Sequence, residues 1–158
     1  MSLSHVRIVG SGLIGSSIGL ALVQEGVAVT MVDSDPRAQA LARDLVKSAP
    51  SGDPDLVILA SPISTISEAL KSELTSPVKL GFMDISSVKT KVKAEVSTSP
   101  LEAGRFLPSH PMAGREGGGA ESARADLFRA RPWILDSAGV DPDLRLAGLE
   151  VISLLGAV

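Results

Sequence analysis

The chain has 158 residues, with 18 acidic and 15 basic side chains and a formal net charge of −3. That length fits one domain, and a 44% hydrophobic content separates it from a disordered chain. Without cysteine there is no disulfide framework, zinc–thiolate site or thiol nucleophile, and an acidic chain with three Phe, one Trp and no Tyr is a poor nucleic-acid binder.

Short β-branched runs alternate with longer helix-like stretches. Residues 6–9 predict a buried strand, and residues 13–24 a helix ended by Gly26. Residues 13–23 have the apolar content of a signal-peptide core. Gly15, Ser16, Ser17 and Gly19 interrupt it and a strand precedes it, so a mature cytoplasmic protein is expected. No apolar run reaches the ~18 residues of a spanning helix, so no membrane partner is expected. Residues 27–32 predict a second strand. Asp35 as N-cap and Pro36 at the first helical position then open a helix to about Val46. Residues 48–54 form a polar loop.

Residues 56–60 are continuously apolar and predict a third strand, with Ser61 as N-cap and Pro62 as first residue of the next helix. Ile63, Ile66, Ala69, Leu70 and Leu74 follow at helical spacing. Residues 80–85 predict a fourth strand, 88–96 a helix and 105–107 a short strand. A glycine-rich loop at 114–119 leads into a short helix at 120–127. Residues 133–135 predict another strand, and 144–155 an amphipathic helix. Continuous apolar strands separated by helices indicate an α/β fold: a doubly wound, mostly parallel sheet with helices on both faces.

Gly10, Gly12 and Gly15 fit G-x-G-x-x-G between the first strand and the first helix, the context a dinucleotide fingerprint requires. Gly10 allows the tight turn, Gly12 lets a pyrophosphate approach the backbone, and Gly15 lets the helix pack on the strand. The helix start, with Leu13 and Ile14, offers free N–H groups and the positive dipole end. Asp33, 18 residues after Gly15, ends the second strand where a carboxylate accepts hydrogen bonds from ribose hydroxyls. A carboxylate there repels a 2′-phosphate, so the expected cofactor is NAD, with NADP disfavoured. Arg37 is near enough in sequence to soften that choice. Ser61 and Pro62 follow the third strand and are expected to border the cofactor. This is the layout of a Rossmann-type domain.

The chain has two histidines. His5 precedes the first strand and is expected to be exposed. His110 lies after a strand, between Pro108 and Pro111, near five glycines (Gly104, Gly114, Gly117, Gly118 and Gly119). A rigid histidine at the ligand edge of a sheet is a candidate acid, base or hydrogen-bond partner; the alternative is a structural histidine bonded to backbone. Ser87, after the fourth strand, is placed to hydrogen-bond His110 and fix its tautomer, although Ser86 or Ser87 also fits a helix N-cap. Lys89 is expected to be solvated, with attraction of an anionic substrate as the alternative. No metal ligand set is expected.

Three stretches resemble the prephenate and arogenate dehydrogenase family of tyrosine biosynthesis. They are Val9-Gly10-Ser11-Gly12-Leu13-Ile14-Gly15-Ser16-Ser17, Asp84-Ile85-Ser86-Ser87-Val88-Lys89 and Ser109-His110-Pro111-Met112-Ala113-Gly114-Arg115-Glu116. Ala125-Asp126-Leu127-Phe128 and Leu154-Leu155-Gly156-Ala157 add weaker support. The first stretch is shared with many dehydrogenases; the histidine and serine stretches are far more specific.

The resemblance implies that His110 is the catalytic histidine, hydrogen-bonded to the ring hydroxyl of prephenate and helping remove its proton as hydride leaves. Ser87 would hold His110 and lie near nicotinamide and substrate, and Glu116 would sit at the active-site mouth. Arg115 stands where several relatives are expected to carry threonine. The implied reaction is NAD-dependent oxidative decarboxylation of prephenate to 4-hydroxyphenylpyruvate. His110 must be neutral to accept the hydrogen bond, so activity falls as imidazole takes up a proton.

Family members continue with a helical domain that dimerises and supplies arginine for substrate carboxylates. The chain is therefore expected to be the cofactor half of a homodimeric enzyme, binding NAD but turning over prephenate poorly by itself. Two other readings compete: a Rossmann dehydrogenase of the β-hydroxyacid or pyrroline-carboxylate reductase type, and a non-catalytic dinucleotide-binding module or redox sensor.

Overall fold

The computed structural model describes residues 2–48, 50–113 and 118–158. In chain order the elements are β1 (His5–Val9), α1 (Leu13–Gln24), β2 (Ala28–Val32), α2 (Pro36–Val46), β3 (Leu56–Leu59), α3 (Ile66–Glu73), β4 (Gly81–Asp84), α4 (Lys89–Ser97), β5 (Phe106–Pro111), β6 (Trp133–Leu135) and α5 (Pro142–Leu154). Among the described residues the strands form one sheet in the order β2-β1-β3-β4-β5-β6. The first five are parallel, and β6 runs antiparallel to β5. This is the doubly wound α/β architecture expected from the sequence.

Continuous apolar strands arise because both faces of the sheet are covered. In β3, Leu56 and Ile58 enter the core beneath α1, α2 and α5, whereas Val57 and Leu59 enter the core beneath α3 and α4. Alternate side chains of one strand thus serve two cores.

Several boundaries differ from the sequence expectations. The expected short strand at 105–107 continues to Pro111, so His110 lies within β5, not after it. Proline normally demotes a strand. Here β5 changes neighbour after Pro108: it pairs with β4 up to that residue and with β6 from Ser109. Pro108 contributes a carbonyl, which accepts from the Asp136 N–H at 2.9 Å.

The expected helix at 120–127 contracts to one 3-10 turn, Ala120–Ser122, because Ala123 is extended and the Arg124 N–H is drawn to the Ser17 hydroxyl at 3.0 Å. Ser61 and Pro62 do not open α3; residues 62–65 form a turn, with the Thr65 N–H on the Pro62 carbonyl at 2.9 Å. Neither Ser86 nor Ser87 caps α4, which follows Val88 without a side-chain cap. Helix α5 starts at Pro142, with the Asp141 carboxylate accepting from the Asp143 N–H. The same Asp-Pro signal opens α2.

His5 is buried, with Nε2 2.8 Å from the Thr30 hydroxyl. It lies in β1, which has a strand on either side. Burial lowers its pKa, aided by the charge of Arg7 and opposed by Asp55.

Asp55 ties the N-terminal edge of the sheet. Its carboxylate accepts from the N–H groups of Ser4 and His5 at 2.8 and 2.9 Å, the Ser4 hydroxyl at 2.7 Å and Lys79 Nζ at 2.6 Å. Burial pushes this carboxyl up, but the Lys79 ammonium and the His5 and Ser4 donors outweigh it and hold the group far below the usual range. A depressed folded pKa contributes stability above the unfolded value, ~3.9, that is lost as pH falls toward the folded one. Asp55→Asn is therefore expected to cost about 2 kcal/mol or more at pH 7. Urea unfolding at pH 7 and pH 3 checks this: the gap between variant and parent narrows at pH 3, and an unchanged gap contradicts it.

Candidate active site

β1 and β3 are neighbours, but α1 leaves β1 for one face and α3 leaves β3 for the other. The crevice between their C-terminal ends is where a doubly wound sheet takes its ligand. Gly10 has φ +113°, and a Cβ there would lie 2.5 Å from the Ala60 carbonyl carbon. A Cβ on Gly15 would lie 2.0 Å from the Gly10 carbonyl oxygen and 3.1 Å from Ala60 Cβ. Gly15 thus packs helix α1 onto the loop itself as well as onto the end of β3. Among the described residues a Cβ on Gly12 meets nothing within 4 Å. Two glycines close the loop, and the third leaves its outer surface open.

Leu13 and Ile14 are half-buried at the start of α1. Helices α2 and α5 begin with aspartate caps, whereas α1 begins at Gly12 with no side-chain cap and no acidic residue in its first turn. Its N–H groups and positive dipole end are left for an anion.

Asp33 is anchored beside this loop. One carboxylate oxygen accepts from the Ser11 N–H at 2.6 Å and the other from the Asp35 N–H at 2.9 Å, while its own N–H donates to Gln39 Oε1 at 3.1 Å. A cavity of about 350 Å³ is bordered by Gly10, Asp33, Ser34, Ser61, Pro62, Thr65 and Glu68. Among the described residues the Ser61 hydroxyl is buried without a hydrogen-bond partner. An orphaned hydroxyl and a ribose-compatible carboxylate in one cleft, with the uncapped start of α1 a few residues beyond Gly10 at its border, fit a dinucleotide. Ser34, Thr65 and Glu68 were not expected here. Ser34 follows Asp33 directly, but the lining by Thr65 and Glu68 depends on where α3 begins.

A larger hollow of about 750 Å³ lies among Gln24, Glu25, Arg124, Asp126 and Arg129, at the far end of α1. It adjoins neither the glycine loop nor the histidine segment, so size alone does not mark the site.

The second half of the site sits at the ends of β4 and β5. His110 is half-buried, and its Nδ1 lies 3.4 Å from the Ile85 carbonyl oxygen. A carbonyl only accepts, so this contact favours the Nδ1–H tautomer, in which Nε2 carries the lone pair of the neutral ring. Ser87 is exposed, and among the described residues its hydroxyl makes no hydrogen bond to His110. The tautomer contact expected from a serine side chain comes from main chain instead.

Lys89 is not a freely solvated lysine. Its ammonium contacts both oxygens of fully buried Asp84 at 2.8 and 2.7 Å. A carboxylate sealed in the sheet requires a cation, which draws Lys89 inward. Burial lowers the Lys89 pKa, and the bond to Asp84 opposes that shift. Glu116 and Arg115 lie outside the described residues.

A family model described as the nucleotide-binding domain of prephenate dehydrogenase matches residues 18–157. The chain belongs to that family. Within it, the chain is 32% identical over 155 residues to a probable prephenate dehydrogenase of Streptomyces niveus, covering 96% of this chain and 43% of that protein. It is 30% identical over 161 residues to a prephenate dehydrogenase of Lactococcus lactis, covering 94% of this chain and 45% of that protein. The prephenate dehydrogenase of Aquifex aeolicus, solved in complex with hydroxyphenyl propionate and NAD⁺, superposes with a TM-score of 0.82 at 25% identity. It covers 100% of this chain and 59% of that one. The prephenate dehydrogenase domain described here thus spans under half the length of these two curated relatives. The family match starts at residue 18, beyond the glycine loop, so the reading of Gly10 to Gly15 stands on the geometry above.

Proposed function

We propose that this domain is the NAD⁺-binding half of a dehydrogenase that oxidises prephenate to 4-hydroxyphenylpyruvate with loss of CO₂, arogenate being the alternative substrate. The carrying observation is His110 at the ligand edge of a domain of this family, with Nδ1 facing the Ile85 carbonyl and, among the described residues, no hydrogen-bond partner on Nε2. Bound NAD⁺ supplies the hydride acceptor. Nε2 accepts the proton of the C4 hydroxyl as hydride leaves C4. The bond from the ring to its carboxylate then breaks and CO₂ departs; its electron pair completes the aromatic ring as Nε2 returns the proton to the C4 oxygen, giving the phenol. Ser87 lies beside His110 and contacts nicotinamide and substrate, while Glu116 guards the mouth of the site. The full-length protein works as a cytoplasmic homodimer whose helical domain supplies the arginine for substrate carboxylates.

Prephenate, arogenate and a set of β-hydroxy acids, each assayed for NADH formation by the full-length protein, test this reading. Turnover of prephenate or arogenate alone supports it; turnover of β-hydroxy acids alone overturns it.

The anchoring of Asp33 favours NAD⁺ over NADP⁺, because its fixed charge opposes a 2′-phosphate. Asp33→Asn is expected to weaken NAD⁺ about tenfold, one lost charge-assisted hydrogen bond, and to weaken NADP⁺ less. Calorimetric titration of both cofactors reads this directly, and an unchanged NAD⁺/NADP⁺ ratio contradicts it.

A further inference from the structure

We propose that Asp84 is a positioning residue for His110, acting through the Ile85–Ser86 peptide bond. This rests on the reading of His110 as the base.

The Ile85 carbonyl and the Ser86 N–H belong to one planar peptide unit and point in opposite directions. The carbonyl faces His110 Nδ1 at 3.4 Å, and the N–H donates to Asp84 Oδ2 at 3.1 Å. The carboxylate therefore sets the rotation of the plane that presents the carbonyl to the imidazole. The Ser86 hydroxyl donates to the same oxygen at 2.5 Å, so Ser86 is held twice. On the β5 side, the Ser109 N–H reaches Asp84 Oδ1 at 3.3 Å, and the Ser109 hydroxyl donates to the Asp84 carbonyl at 2.7 Å. Ser86 adjoins Ser87, and Ser109 adjoins His110. One carboxylate fixes both segments of the candidate site without touching either functional side chain.

The location of Lys89 is otherwise unexplained. It is the first residue of α4, where a cation opposes the helix dipole, and that first turn has no acidic residue. Pairing with Asp84 offsets this and closes the 84–89 loop into a ring. Among the described residues the charged groups around the relay are Lys89 and, further along α4, Lys93, which is itself paired with Asp136.

Negative charge at the N–H end of a peptide makes its carbonyl a better acceptor. Asp84 thereby favours the Nδ1–H tautomer and stabilises the imidazolium that forms when His110 takes the proton.

The test uses the full-length protein and prephenate. Asp84→Asn is expected to lower kcat about tenfold or more, within the range of a positioned base. KM and the NAD⁺ Kd are expected to change less than about threefold. The double variant Asp84→Asn/Lys89→Met removes both charges together, and the same changes are expected there. In a His110→Asn background Asp84→Asn has no further effect on kcat, because the relay then ends on nothing.

On the unaltered protein, imidazole ¹⁵N NMR is expected to find neutral His110 protonated on Nδ1. A neutral ring protonated on Nε2, or a folded double variant with parental kcat, overturns the relay. If His110→Asn itself leaves kcat intact, it is the reading of His110 that fails.

Discussion

Replacing His110 with asparagine in the full-length protein is expected to lower kcat for prephenate by about 10²- to 10⁴-fold, the usual contribution of a positioned base. Asparagine keeps a donor near the Ile85 carbonyl but has no titratable lone pair in place of Nε2. His110 sits at the end of β5, whereas the dinucleotide cleft is built on β1, β2 and β3, so the NAD⁺ Kd should stay within about threefold of the parent. His110 lies in strand and is only half-buried, so the melting temperature should move little. The full-length parent is expected to lose activity as pH falls, and the residual activity of the variant to lose that dependence. A variant with parental kcat and an unchanged pH profile would remove His110 from the chemistry.

Gly15→Ala is expected to have the largest effect on the cofactor cleft. Its Cβ would lie 2.0 Å from the Gly10 carbonyl oxygen, and the obstructing atom is backbone that cannot rotate away. Either α1 shifts off the sheet or the loop opens, at a cost of about 1–3 kcal/mol for overpacking. NAD⁺ binding should weaken by about a hundredfold or more, since both its phosphate cradle and its helix N-terminus are displaced. Gly12→Ala is the informative contrast. Its Cβ meets no atom of the described residues within 4 Å, so the variant should melt like the parent yet bind NAD⁺ poorly, because the methyl group occupies the phosphate approach. Calorimetric titration and thermal melting of both variants separate the two roles. Equal NAD⁺ affinity in Gly12→Ala and parent would place the pyrophosphate elsewhere.

Where pattern and chemistry are local, the sequence is a good guide. Helices α1 and α2 end where periodicity and breakers place them, and the Asp35-Pro36 start is seen as an N-cap in contact with the Arg37 N–H at 2.9 Å. The same Asp141-Pro142 signal was passed over in favour of the first apolar residue, Leu144, because α5 buries only part of its surface. Non-local features were harder to read. His5 is buried because β1 lies between β2 and β3, an arrangement the residues flanking it do not encode. Lys89 turns inward because Asp84, five residues earlier, is sealed against β5, and the sealing depends on strand order.

At the candidate site, the turn closed by Gly10 and Gly15 is legible because few residues satisfy its backbone geometry. The partner of His110 is not. A serine side chain was the natural expectation, but the contact is made by a carbonyl, which every residue carries and which no pattern marks.

The full-length protein is expected to couple hydride transfer to loss of the ring carboxylate once NAD⁺ is bound. The most direct test is to measure NADH and CO₂ together during its turnover of prephenate. One CO₂ released for each NADH formed, with both falling in His110→Asn, is the predicted result. NADH formed without CO₂, or equal yields from parent and variant, would contradict it.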